Sequence, residues 1–242
     1  MKIIKRILLG LVVVSVLFVL GFVFWAETPL GPAPEALSAL ESDANVVVTD
    51  DDYITFEPVG AQPVTGFIFY PGGRVDYHSY AAPLRAIAEQ GYLVVSVPVR
   101  LNLAFFDINA ADAVFAEYPE IEHWVVGGHS LGGVASALFA KEQPQVEGIV
   151  FWASYPADDS LNNSGLKVLS IYGTNDMAGM AKFDETRPLL VADAKYVVID
   201  GGNHAQFGDY GTQPGDKEAT ISRADQQLQV VQATVEFLEG LK

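Results

Sequence analysis

Apolar residues are unevenly spread along this chain. Ile7–Trp25 (ILLGLVVVSVLFVLGFVFW) runs 19 residues without a charge, directly behind Lys2, Lys5 and Arg6. As a helix rising about 1.5 Å per residue it spans roughly 28 Å, close to the hydrocarbon thickness of a bilayer. Beyond Ala44 the pattern changes to short, nearly all-apolar runs between longer stretches of helical period. Val46–Thr49 and Tyr53–Phe56 flank the acidic turn Asp50-Asp51-Asp52 as a short antiparallel pair. Val64–Tyr70, Tyr92–Val97, His123–Val126, Gly148–Ala153, Val168–Tyr172 and Tyr196–Ile199 read as buried strands. Helices are predicted near Tyr80–Gln90 and over Leu103–Glu117, Gly132–Glu142, Met180–Leu190 and Lys217–Leu241. Strands apolar on both faces, alternating with helices, predict an α/β fold: a mostly parallel sheet with helices on both sides.

The chain therefore divides into an N-terminal apolar helix (1–26), a linker (27–44) and one domain of catalytic size (45–242). The linker is rich in Pro, Ala and acids and reads as a stalk with one helical turn. Two readings compete for the first part. Signal-peptide cores usually run about 7–15 residues and end at a small-residue site. This run is longer, and cleavage after Ala26 would put Phe24 where a small residue is wanted. Trp25 suits the membrane interface. A retained signal anchor is the preferred expectation, with secretion after cleavage as the alternative. The basic residues before the helix then keep the N-terminus in the cytoplasm and leave a single-pass protein with an extracytoplasmic domain.

Charge and cysteine content narrow the partners. Three of the 14 basic residues precede the apolar run and none of the 30 acids does, so the remainder carries 11 basic against 30 acidic residues, a net of −19. That opposes binding to nucleic acid and to anionic headgroups. The chain has no cysteine, which excludes disulfides, thiolate metal sites and a lipidated-cysteine anchor. No metal site and no organic cofactor is indicated.

The candidate chemistry starts at GGHSLGG. Ser130 lies between Gly128 and Gly132, where a predicted strand ends and a helix begins. Small neighbours permit the strained turn of a nucleophile elbow, and the helix N-terminus favours a developing anion. The Leu131 N–H is one candidate oxyanion donor, and Gly72 or Gly73 in Pro71-Gly72-Gly73, after strand Val64–Tyr70, is the other. A serine nucleophile needs a base and an acid to orient it. Among four histidines, His204 in GGNHAQFGDYG follows the last strand and reaches the same sheet edge as Ser130. His129 is locked inside the elbow, His123 opens a strand, and His78 precedes Ser130. Asp176 in YGTNDMAG follows strand Val168–Tyr172, while the rivals Asp158 and Asp159 lie in the loop after the preceding strand. Candidates for substrate contact are His78, Phe105, Phe106, Trp152, Tyr155, Asn203 and Gln206.

With FYPGG, GGHSLGG, SIYGTND and GGNHAQFGDYG in this order, the chain from about Val46 onward resembles the α/β-hydrolase superfamily. It is most similar to the small, capless, dienelactone-hydrolase-like branch found in bacteria. The resemblance implies a triad of Ser130, Asp176 and His204, with Leu131 and Gly72 or Gly73 as oxyanion donors. Dienelactone hydrolases use a cysteine nucleophile, absent here, so their lactone substrate does not carry over. The expected activity is serine-dependent cleavage of small carboxylic ester-type substrates. The alternatives are acyl transfer or amide or thioester hydrolysis by the same triad, or a non-catalytic surface binding module.

Overall fold

The computed structural model describes residues 2–241. Helix α1 (Lys2–Ala26) stands out from the rest, and its most apolar 18-residue window is wholly unburied. It is long and apolar enough to cross a membrane.

The domain is built on eight strands: β1 (Val46–Asp50), β2 (Ile54–Pro58), β3 (Thr65–Tyr70), β4 (Leu93–Ser96), β5 (His123–His129), β6 (Val146–Trp152), β7 (Lys167–Gly173) and β8 (Lys195–Ile199). Their order is β1-β2-β4-β3-β5-β6-β7-β8. The β1–β2 and β2–β4 pairs are antiparallel and all others parallel. The α/β architecture is as expected. β3 and β4 are buried throughout, and β5 is buried but for its first residue, as strands covered on both faces must be.

Helices α3 (Ala81–Ala88) and α7 (Arg223–Glu239) cover one face, with a core that includes Phe67, Phe69, Trp152 and Phe237. Helices α4 (Asp112–Glu117) and α5 (Leu131–Ala140) cover the other, around Val95, Val126, Phe139 and Phe151. Helix α6 (Met180–Thr186) lays Phe183 flat on Tyr172, ring centroids 4.1 Å apart. From β3 the chain moves one way to β4 and then returns to β5 on β3's other side. Where strand order reverses, the loops after β3 and β5 diverge and open a crevice at the carboxyl edge.

Three expectations change. Leu103–Glu117 is not one helix but a 3₁₀ turn, Ala104–Phe106, followed by α4. The Tyr70 phenol explains the break: its hydroxyl donates to the Ile108 carbonyl at 2.6 Å and accepts the Ala111 N–H at 3.3 Å, so these groups are already engaged. α7 starts at Arg223 rather than Lys217, because the carbonyls of Lys217 and Glu218 accept from the Asn203 and Asn175 amides. Ser222 caps it, accepting the Asp225 N–H at 3.1 Å. The segment read as a stalk is docked on the domain. Leu30 pairs with Val75, the Ala33 N–H donates to the Asp209 carbonyl at 2.6 Å, and the short helix α2 (Pro34–Ser38) buries Ala36.

The β5–α5 turn is among the tightest parts of the fold. A Cβ on Gly132 would overlap the backbone carbonyls of Tyr70 and Pro71. Gly132→Ala is therefore expected to destabilise the domain by about 2 kcal/mol or more, since backbone cannot move aside as a side chain can. Chemical denaturation followed by circular dichroism checks this.

Candidate active site

β5 ends at His129 and α5 begins at Leu131, so Ser130 alone makes the turn. It does so at φ 52°, ψ −119°, a left-handed conformation that costs a residue with a Cβ on the order of 1–3 kcal/mol. Neighbours hold it there. The Ser130 N–H donates to the Trp152 carbonyl at 3.0 Å, and Ser154 Oγ donates to the Ser130 carbonyl at 2.6 Å.

Across the same crevice, His204 Nδ1 lies 2.9 Å from Asp176 Oδ2, with both residues buried. Since a carboxylate only accepts, Nδ1 carries a proton, and in the neutral ring Nε2 holds a lone pair. His204 Nε2 is buried and makes no hydrogen bond among the described residues. The other Asp176 oxygen accepts the Ala178 N–H at 2.8 Å, which fixes the carboxylate plane. Asp216 fixes the His204 backbone, its oxygens accepting the His204 and Ala205 N–H groups at 3.3 and 2.8 Å.

Ser130 and His204 line one cavity of about 360 Å³, together with Leu131, Val134, Ala153, Ser154, Tyr155, Met177, Ala178 and Gln213. Its wall is mostly apolar and carries no lysine or arginine. Of the candidate oxyanion donors, the N–H groups of Leu131 and Gly73 make no hydrogen bond among the described residues. A Cβ on Gly73 would lie 3.1 Å from Leu131 Cδ2, so the two loops abut. Gly72 differs, because its N–H donates to the Tyr80 hydroxyl at 3.0 Å. That leaves Gly73 as the loop's open donor.

His129 ties these loops together. Its Nε2 donates to the His204 carbonyl at 3.1 Å, so Nδ1 is an acceptor and receives a hydrogen bond from the Tyr80 hydroxyl at 2.8 Å. Burial, with a smaller contribution from the neighbouring His204, holds the His129 pKa well below the usual histidine value. Burial also pushes the Tyr80 phenol up, so it keeps its proton. A continuous chain thus runs from the Gly72 N–H through Tyr80 and His129 to the backbone of His204.

Other expected residues lie elsewhere. His78 is turned toward β1, with Nδ1 2.6 Å from Asp76 and Nε2 3.1 Å from Asp50, and these carboxylates raise its pKa. Phe105 and Phe106 are 48% and 51% exposed and outside the cavity, with Phe106 directed at Phe22 of α1. Trp152 is 0% exposed, because strand alternation points it under α7, where Nε1 donates to Thr234 Oγ1 at 3.3 Å. Gln206 and Asn203 line a separate cleft beside Asp216. Asp158 and Asp159 stay exposed, and Asp158 caps Ser160. Met177 and Ala178 were readable only as neighbours of Asp176. Gln213, Tyr80 and Asp216 carry no sequence signal of their role.

The Alpha/beta hydrolase family model matches residues 66–228, more than half of the chain. The chain belongs to the alpha/beta hydrolase family. Among curated proteins none matches it. Solved structures with the same fold include the esterase domain of a Rhodothermus marinus protein, with TM-score 0.59 and 16% identity, covering 80% of this chain and 96% of that one. A dienelactone hydrolase-like promiscuous phosphotriesterase from metagenomic libraries gives TM-score 0.61 and 15% identity, covering 82% and 99%. A putative dienelactone hydrolase from Klebsiella pneumoniae gives 0.55 and 15%, covering 78% and 98%.

Two outcomes follow for the Tyr80–His129 chain. Tyr80→Phe strands the buried Gly72 N–H and His129 Nδ1 and is expected to cost about 1–3 kcal/mol in urea unfolding. Below about pH 6.5 the unfolded chain protonates His129 while the folded one does not. Stability should therefore fall as pH drops through that range, and His129→Gln should flatten the fall.

Proposed function

We propose that this protein is a serine hydrolase of small carboxylic esters, held at the outer face of a membrane by α1. The observation that carries the reading is the convergence of three features on one apolar cavity. They are a serine in a strained strand-to-helix turn, a buried histidine nitrogen with a lone pair, and the unpaired N–H of Leu131, with that of Gly73 on the abutting loop.

The chemistry runs through these atoms. As Ser130 Oγ attacks the acyl carbonyl, His204 Nε2 takes its proton. The imidazolium that forms is stabilised by the Asp176 carboxylate on Nδ1, which also holds the ring's tautomer. Negative charge gathers on the carbonyl oxygen, where the Leu131 and Gly73 N–H groups receive it. Each such donor is worth about 3–4 kcal/mol of transition-state stabilisation in acyl transfer. His204 then protonates the departing alkoxide, and water, activated by the same nitrogen, releases the acyl group. The cavity suits a short apolar acyl group, and its lack of cationic side chains gives an anionic substrate no partner.

The length of Ile3–Ala26 and the interfacial position of Trp25 favour a retained anchor over a cleaved peptide. Lys2, Lys5 and Arg6 favour a cytoplasmic N-terminus.

Ser130→Ala should abolish both fluorophosphonate labelling and hydrolysis of p-nitrophenyl butyrate, and Asp176→Asn should lower kcat by about 10⁴-fold. Full activity in Ser130→Ala would end the proposal.

A further inference from the structure

The outward end of α1 is joined rigidly to the catalytic edge of the sheet. Arg74 directly follows the candidate oxyanion glycine Gly73. Its Nε donates to the Trp25 carbonyl at 2.8 Å and its Nη2 to the Thr28 carbonyl at 2.5 Å. Its guanidinium also stacks 4.3 Å from the centre of the Trp25 ring. Asn102, from the turn after β4, donates its side-chain amide to the Ala26 carbonyl at 3.1 Å. The last carbonyls of α1, which no helical N–H can reach, are thus capped by residues that follow β3 and β4. Those residues sit at the carboxyl ends of parallel strands, the same edge that bears Ser130 and His204.

Depth along α1 sets where the bilayer meets this edge. Phe106 packs on Phe22 with ring centroids 6.1 Å apart. Phe22 precedes Ala26 by four residues, or about 6 Å of helix, and lies inside the uncharged run. If α1 crosses a bilayer, Phe106 and its exposed neighbour Phe105 lie level with the last apolar turn. Trp25, Phe22 and Phe106 form an aromatic cluster at the depth where such rings anchor proteins. The 3₁₀ turn that carries both phenylalanines is not part of the cavity wall, but the chain entering it reaches the Gly73 loop that abuts Leu131 of that wall. Leu103, just before it, lies within 3.7 Å of a Cβ placed on Gly73, and Leu131 of the cavity wall lies against the same point.

We infer that the catalytic edge is seated on the outer surface of the bilayer, with Phe105 and Phe106 dipping into its interface. The cavity then receives esters partitioned in that interface. The inference rests on α1 being a retained anchor and on Ser130 being the nucleophile. The occupant is a zwitterionic lipid surface, because the net charge of −19 outside α1 repels an anionic one.

The absence of cysteine allows a clean test in the full-length protein. Phe105→Cys and Asp193→Cys are each labelled with an environment-sensitive nitrobenzoxadiazole dye and reconstituted into phosphatidylcholine vesicles. Asp193 is an exposed residue just before β8, at the opposite edge of the sheet. The dye at 105 should be blue-shifted and quenched by a nitroxide-bearing lipid, and the dye at 193 should show neither effect. Equal behaviour at the two positions overturns the seating. The double variant F105S/F106S should lose at least 10-fold in hydrolysis of a medium-chain diacylglycerol in the vesicles. Its rate on water-soluble p-nitrophenyl acetate should stay within twofold. An equal loss on both substrates overturns the delivery of interfacial esters. A wild-type protein inert to both esters contradicts the hydrolase reading instead, while the dye measurement still decides the seating.

Discussion

Around Ser130 the backbone approaches itself more closely than side chains would allow. Gly128 faces the Gly132 carbonyl and the Gly133 nitrogen, Gly132 faces the Tyr70 and Pro71 carbonyls at the end of β3, and Gly133 faces Ser154. This contact fixes the spacing of β3, β5 and α5, and it holds Ser130 in a conformation its own Cβ resists. The loops that carry the open N–H groups of Leu131 and Gly73 abut at the Leu131 side chain. Loosening that contact would relax the serine and part the two loops together.

A second constraint lies beneath the first. His129 is fully buried and neutral, and it joins the loop after β3 to the loop after β8 through Tyr80 on one side and the His204 backbone on the other. Phe207 stacks on its ring at 5.6 Å, and Asp216 accepts from the backbone N–H groups of His204 and Ala205. A histidine adjacent to Ser130 in sequence thus acts as a strut between the loops beside the cavity. Its two ring nitrogens are both spent on structure, and none is left to take the serine proton.

Much of the fold was legible because its strands are apolar on both faces and end in chemically distinctive turns. The elbow at Ser130, and the loops bearing Asp176 and His204, could be read from residue type and position relative to strand ends. What escaped depends on contacts between distant segments. Phe106 and Trp152 look alike in sequence as aromatics near strand ends, yet one faces α1 and the other the core beneath α7. The broken helix before α4 and the late start of α7 both arise from polar groups, the Tyr70 phenol and the Asn203 amide, that claim backbone partners at long range. Periodicity within one segment carries no trace of such competition. Gln213 enters the cavity from an irregular loop with no pattern at all.

The segment after α1 changes how far such a protein can act. A Pro- and Ala-rich tether of that length would let a domain sweep a volume above its attachment point. Here Leu30 is paired with Val75, Ala33 is bonded to Asp209, and Ala36 is buried, so the slack is taken up within the domain itself. A chain fixed by α1 would work at one height and one tilt, free to spin and drift in two dimensions but without reach into the surrounding fluid. It would also offer a protease no loose strand to cut, so the catalytic domain would not be shed from the surface that holds it.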